Sequence, residues 1–295
     1  KDAELSYKKA IQINPDFPIA LFSLSTLKYS NDNKIWINKL FSKSILNSKS
    51  KEDKIHIFFA RANVLHQEKN YNESSKYLKL ANDYKLDINP SKPHLIFNKS
   101  QNLLLESYEK KIHQKEYIAS PESIFIVGMH RSGTTLTESI LSMNKDVTDL
   151  GDVTILEQSF IESKKIDQEQ NLAQLYWKKV NYLTNEFKIT TNKYTYNYQY
   201  SGIIASQIPN AKIIHCFRNP LDNILSIYRA HFARGSYYSS SLVDCTRVYL
   251  DQESLMTEYK KRFRSKIYDL NYDLLVSNPN QEIKSLISWL GWKWN

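Results

Sequence analysis

Ser123-Ile-Phe-Ile-Val-Gly-Met-His-Arg-Ser-Gly-Thr-Thr-Leu-Thr-Glu-Ser-Ile-Leu-Ser-Met143 runs from a short apolar strand through a glycine-flanked turn into an amphipathic helix. Gly128 and Gly133, followed by Thr134 and Thr135, match the phosphate-binding pattern GxxxxGK[ST] at every fixed position but one, where Thr134 replaces the lysine. The glycines permit a tight turn, so that successive N–H groups and the start of the helix face an anion. The hydroxyls of Thr134 and Thr135 add donors. In nucleoside triphosphatases the lysine reaches the terminal phosphates and the hydroxyl residue holds magnesium. Its replacement argues against triphosphate hydrolysis and for a less charged anion. The plain alternative is a strand-to-helix turn that binds nothing.

Downstream the chain alternates helical and strand-like runs, with strands expected at 123–127, 187–191, 211–217 and 266–270. This alternation predicts an α/β domain with a mostly parallel sheet. Ligands of such sheets sit beyond the carboxyl ends of the strands, where the 128–135 loop and Arg218 both fall. Arg218 closes Ala211-Lys-Ile-Ile-His-Cys-Phe-Arg-Asn-Pro-Leu-Asp222, a strand that ends just before a helix. It offers a forked cation for a phosphate, while Pro220 suits the first helical turn and Asp222 stands near its positive end. Alone, such an arginine is an ordinary surface ion-pair donor. Its pairing with the upstream loop makes it a candidate.

The first part of the chain reads as paired helices. Apolar positions Tyr7, Ala10 and Ile11 precede the Asn14-Pro15 break, and Ala20, Leu21, Leu24 and Leu27 follow it. Further helices are expected at 34–46, 54–67 and 71–86, with a last one from His94 to Lys115 before Ser120-Pro121. The aromatics Trp36, Phe58, Phe59 and Tyr77 either pack in the core or line a concave face. The domain boundary is placed near residue 116, giving a helical domain at 1–115 and an α/β domain at 116–295.

Composition adds outer bounds. The 295 residues carry 40 Lys+Arg against 31 Asp+Glu, a net charge of +9 that suits an anionic cofactor. No compact basic block or nucleic-acid module appears, so nucleic acid is not expected as a partner. The two cysteines are too few for a disulfide framework or a cysteine zinc site, which favours a reducing, cytoplasmic compartment. No apolar run approaches the roughly 18–20 residues of a membrane span.

Val127-Gly-Met-His-Arg-Ser-Gly-Thr-Thr-Leu136 resembles the 5′-phosphosulfate loop of sulfotransferases, enzymes that use 3′-phosphoadenosine-5′-phosphosulfate. The stretch from Ala211 to Asp222 is similar to the family's 3′-phosphate element, and Ser226 stands where the family places its partner serine. Asp2-Ala-Glu-Leu-Ser-Tyr-Lys-Lys-Ala-Ile-Gln-Ile-Asn-Pro15 and Tyr71-Asn-Glu-Ser-Ser-Lys-Tyr-Leu-Lys-Leu-Ala81 each resemble the second helix of a tetratricopeptide repeat. Ala10 and Ala81 take the same repeat role, 71 residues apart, close to two periods of about 34 residues.

The chain thus resembles tetratricopeptide-repeat-containing sulfotransferases related to the protein-tyrosine sulfotransferases. The resemblance implies an α-solenoid followed by a P-loop-like three-layer α/β domain. It implies cofactor binding by Arg131, Ser132, Gly133, Thr134, Thr135, Arg218, Ser226 and Tyr272, the last in Asn271-Tyr-Asp-Leu-Leu-Val-Ser-Asn-Pro279, which looks like a late segment whose tyrosine packs near the nucleotide base. Relatives place a Gly-Glu pair soon after the loop helix; Gly151-Asp152 stands there, one methylene shorter, and nominates Asp152 as the base. Thr190-Thr-Asn-Lys-Tyr-Thr-Tyr-Asn-Tyr198 is similar to the segment whose lysine contacts the bridging oxygen. Lys193 is that lysine, and Arg131 steadies the transferring sulfuryl group. Tyr194, Tyr196, Tyr198 and Tyr200 alternate as in a strand face or an acceptor-contacting wall. The family pattern continues past the last segment, which implies a domain truncated at its C-terminus.

The implied reaction moves a sulfuryl group in line to an acceptor hydroxyl on a sugar, lipid, small molecule or protein tyrosine, with no metal, leaving 3′,5′-adenosine bisphosphate. The helical repeats offer a surface for a protein partner. The alternatives are a P-loop kinase of a small substrate, or a repeat scaffold whose second domain binds nucleotide without turnover.

Overall fold

The computed structural model describes residues 2–27, 34–109, 122–165, 170–184, 188–232 and 235–293. The expected boundary near 116 and the Ser120-Pro121 break lie outside these residues. The chain divides into two compact units, Lys1–Lys92 with Ile227–Cys245, and Pro93–Ser226 with Thr246–Asn295.

The first unit holds α1 (Asp2–Ile13), α2 (Pro18–Ser25), α3 (Lys34–Phe41), α4 (Lys51–Gln67) and α5 (Tyr71–Ile88). The helix expected at 34–46 ends at Phe41 and continues as a short 3₁₀ turn over Lys43–Leu46. Local chemistry sets the limits of the longest pair. The Ser50 side chain accepts from the Asp53 N–H at the start of α4, with Glu52 and Asp53 in its first turn, and Asn70 accepts from Glu73 N–H to begin α5. Trp36, Phe58 and Phe59 are buried, and Tyr77 stacks on Phe58 with ring centroids 6.2 Å apart, so these aromatics serve the core. Residues 227–245 belong to this unit although most of the sheet unit precedes them in sequence. The Asn82 amide donates to Tyr228 O at 3.1 Å, Lys85 Nζ to Phe232 O at 3.1 Å, and the His231 ring stacks on Phe59 at 4.8 Å.

The second unit opens with α6 (Pro93–Glu109). The helix expected from His94 to Lys115 is therefore grouped with the sheet, not with the helical unit, because Leu103 enters the sheet's core and Gln199 Nε2 donates to Ile96 O and Ser100 Oγ. Then follow β1 (Glu122–Gly128), α7 (Thr134–Leu141), β2 (Val147–Asp149), α8 (Ile155–Glu162), α9 (Leu172–Leu183), β3 (Ile189–Asn192), α10 (Ser201–Gln207), β4 (Ala211–Phe217), α11 (Pro220–Tyr228), α12 (Leu242–Phe263), β5 (Ile267–Asn271), α13 (Tyr272–Ser277) and α14 (Pro279–Leu290). The strands form one sheet in the order β2-β3-β1-β4-β5, and every described pairing is parallel.

Alternation along the strands covers both faces. Phe125, Val127 and Ile213 enter one apolar core, shared with α8 to α10 and α12. Ile124, Ile126, Ile214 and Cys216 enter a second core, under α7, α13 and α14. Near-continuous apolar strands are what a parallel sheet buried on both sides requires. The alternating tyrosines do not form a strand: Thr195–Tyr200 is a 3₁₀ helix that buries Tyr198 and Tyr200 and leaves Tyr194 and Tyr196 half-buried.

Candidate functional site

The loop from β1 to α7 is shaped by close approach. Gly128 has φ 145°, and a Cβ there lies 2.2 Å from Cys216 O of β4, so only glycine fits. Gly133 has φ 100°, and its Cβ lands 2.4 Å from Tyr272 Cδ2. The glycine therefore lets the Tyr272 ring pack against the loop. Arg131 itself sits at φ 68°, left-handed backbone that an arginine adopts at a cost of about 1 kcal/mol or more. Ser132 is buried, and its hydroxyl donates to Met129 O at 2.7 Å, which closes the turn from within. Thr134 is buried at the head of α7 while Thr135 is exposed.

The remaining candidates follow the ends of the other four strands. After β2, Gly151 turns the chain at φ 66° to present Asp152. After β3 comes Lys193, whose ammonium meets Asp152 Oδ2 at 2.5 Å. The two turns are zipped together, Leu150 N–H donating to Thr191 O at 2.9 Å and Lys193 N–H to Gly151 O at 3.0 Å. After β4, the Arg218 guanidinium lies 4.9 Å from the centre of the Tyr272 ring, which itself follows β5. Its Nε is 3.5 Å from Asp273 Oδ1 and its Nη2 3.9 Å from Asp222 Oδ2. That Nε is buried and has no hydrogen-bond partner. Ser226 accepts from Arg131 Nε at 3.2 Å, which ties α11 to the loop. All five strand ends thus carry a candidate, on the edge where parallel sheets hold ligands.

Sequence reasoning passed over three residues here. His130 is one; its Nδ1 is 3.4 Å from Thr195 Oγ1 and its ring 5.4 Å from Tyr196, and burial lowers its pKa to about 4, so it is neutral at neutral pH. Asp273 is another, accepting from Asn219 N–H at 2.8 Å while facing Arg218. Glu138 is the third, buried on the inward stripe of α7 with Thr134, Thr137 and Leu141. A carboxyl at a core-facing helical position was the available signal. Among the described residues no group of three or more His, Cys, Asp or Glu is placed to hold a metal ion, and no helix is long and apolar enough to cross a membrane.

A family model described as "Sulfotransferase family" matches residues 154–295. The match takes in Lys193, Arg218, Ser226 and Tyr272, and begins after the 128–135 loop and Asp152. A protein of Aquifex aeolicus (strain VF5), described as uncharacterized, is 26% identical over an alignment covering all of this chain; the chain spans 42% of that relative's length. Among solved structures, the chain is similar to the sulfotransferase domain of the Synechococcus PCC 7002 olefin synthase, at 14% identity and a TM-score of 0.44, over 63% of this chain and 78% of that one. It is also similar to a sulfotransferase of Mycobacterium tuberculosis H37Rv, at 11% identity and a TM-score of 0.42, over 84% and 85% of the two chains.

Proposed function

We propose that this chain is a sulfotransferase that moves a sulfuryl group from 3′-phosphoadenosine-5′-phosphosulfate to an acceptor hydroxyl. The observation that carries this reading is the gathering of loop, Asp152, Lys193, Arg218 and Tyr272 at the carboxyl edge of one parallel sheet, in a chain whose residues 154–295 match the sulfotransferase family model. The residues fit the cofactor. The loop's N–H groups and Thr135 would hold the phosphosulfate, Arg218 Nε, which has no hydrogen-bond partner, would supply a donor for the 3′-phosphate, and Tyr272 would pack beside the base. Thr134, buried where a nucleotide-hydrolysing loop carries lysine, leaves no ammonium for a γ-phosphate.

In the proposed reaction the acceptor oxygen attacks sulfur as the bond from sulfur to the bridging phosphate oxygen breaks. Asp152 takes the hydroxyl proton, and Lys193 balances the charge left on the 5′-phosphate. Arg131, bonded to Ser226, would face the sulfuryl oxygens. The Gly151-Asp152 turn supports a place among the repeat-bearing and protein-tyrosine type, and the α4–α5 hairpin with its fully buried Ala81 supports a tetratricopeptide-like helical unit. The test supplies cofactor labelled in its sulfuryl group together with a cell extract and follows the label. Transfer to a hydroxyl-bearing acceptor is expected; label retained on the cofactor under all conditions refutes the reading.

A further inference from the structure

Glu138 is a buried carboxyl, 6% exposed, that the reaction above does not use. Burying a carboxylate is costly unless its oxygens are bonded. Here Thr191 Oγ1, on β3, donates to Glu138 Oε1 at 2.9 Å. The Lys193 charge also favours the carboxylate, Asp149 opposes it, and the Gly151 N–H adds the smallest favourable influence. Desolvation outweighs these contacts and raises the carboxyl above its ordinary value.

The partners matter more than the titration. Thr191 lies two residues before Lys193, and Gly151 is the residue before Asp152. The carboxyl is carried by α7, the helix that the anion loop opens. Glu138 therefore joins the loop helix after β1 to the end of β3. The backbone zipper between Leu150–Gly151 and Thr191–Lys193 holds the end of β3 to the turn after β2, so the Glu138–Thr191 bond ties both to the loop helix.

We infer that Glu138 is a positioning residue for the proposed reaction: its carboxyl holds the Thr191 strand end, and through the backbone zipper the Gly151 turn, to the loop helix, and so sets where Asp152 and Lys193 stand relative to the anion bound by the loop. The inference rests on the sulfotransferase reading for its consequence, and on geometry for the clasp itself. A displacement of about 1 Å costs a reaction about 100-fold.

The experiment compares the parent chain with Glu138→Ala and Glu138→Gln. Three quantities are measured: affinity for 3′,5′-adenosine bisphosphate, release of labelled sulfate from the cofactor with water as acceptor, and labelling of the Lys193 amine by an acylating reagent, read by mass spectrometry. In the parent the Lys193 side chain is 10% exposed and held against Asp152. Glu138→Ala is expected to slow release about 100-fold with the nucleotide's affinity nearly unchanged, and to unmask Lys193. Glu138→Gln, whose amide oxygen still accepts from Thr191, is expected to restore most of the rate and the protection. Parent-like release and protection in Glu138→Ala overturns the inference, as does a loss of nucleotide affinity equal to the loss of rate. A parent that releases no sulfate to water, and passes none to a cell extract, refutes the function alone. Lys193 labelling then decides the clasp, which stands if Glu138→Ala alone unmasks the amine and falls if protection is unchanged.

Discussion

Arg61 in the helical unit and Arg218 in the sheet unit both lie over tyrosine rings, 5.2 Å from the centre of Tyr77 and 4.9 Å from that of Tyr272. Their N–H groups are spent differently. Arg61 donates to Leu40 O at 2.9 Å and Ser42 O at 3.1 Å, and burial lowers its pKa. It is a structural cation bonded to neutral carbonyls. Arg218 has a buried Nε without a hydrogen-bond partner, and its nearest carboxylates stand at 3.5 and 3.9 Å. In the helical unit Lys85 is half-buried, desolvation lowers its pKa to about 8, and it donates to a backbone carbonyl. In the sheet unit Lys193 is buried and paired with an exposed carboxylate at a strand end. Satisfied cations hold a fold together, whereas cations with capacity left at a strand edge are available to a ligand.

The contrast is sharpest in variants that separate activity from stability. Asp152→Ala is expected to cut sulfuryl transfer by about 100- to 10,000-fold while 3′,5′-adenosine bisphosphate binds as before; undiminished transfer reassigns the base. On the other side, Phe59→Ala removes a fully buried ring of the helical core and is expected to cost about 3–5 kcal/mol of stability, seen as a lowered denaturation midpoint. Arg218→Ala is expected to weaken nucleotide binding by about 1.5–3 kcal/mol with little change in melting, and Arg61→Ala to do the reverse. Equal melting losses in the two arginine variants, with equal affinities, break the comparison.

The smallest effect concerns pH. Burial among Phe22, Phe59, His56 and Lys85 lowers the pKa of His231 to about 3. The unfolded chain, near 6.5, then binds the proton that the folded chain refuses. Stability from this group is complete above about 6.5 and is lost as pH falls toward 3. Melting followed against pH is expected to fall less steeply in His231→Phe than in the parent, and identical slopes contradict this.

Much of the sheet unit was legible because its signals are local. β4 runs over the expected Ala211–Phe217, and β1 extends the expected strand by one residue at each end. The loop's glycines announce the turn whatever surrounds it. β2, three residues long and half-exposed, leaves no periodic trace. The tyrosine alternation at 194–200 misleads because a 3₁₀ helix there buries Tyr198 and Tyr200 together. The assignment of 227–245 to the helical unit depends on bonds such as Asn82 to Tyr228, 146 residues apart, which no local pattern carries. In the site, residues that follow strands were identifiable from strand and motif together. Asp273 escaped because what marks it is what it faces, while for Glu138 a carboxyl on the core-facing stripe of α7 was the one signal.

The central claim is that the lysine-less loop and Arg218 hold a 3′-phosphorylated adenosine nucleotide at opposite ends. Titration calorimetry with 3′,5′-adenosine bisphosphate, set beside ATP with magnesium, tests it most directly. Clear preference for the bisphosphate, lost in Arg218→Ala, is expected; preference for ATP with magnesium, unaffected by that substitution, contradicts the proposed binding mode.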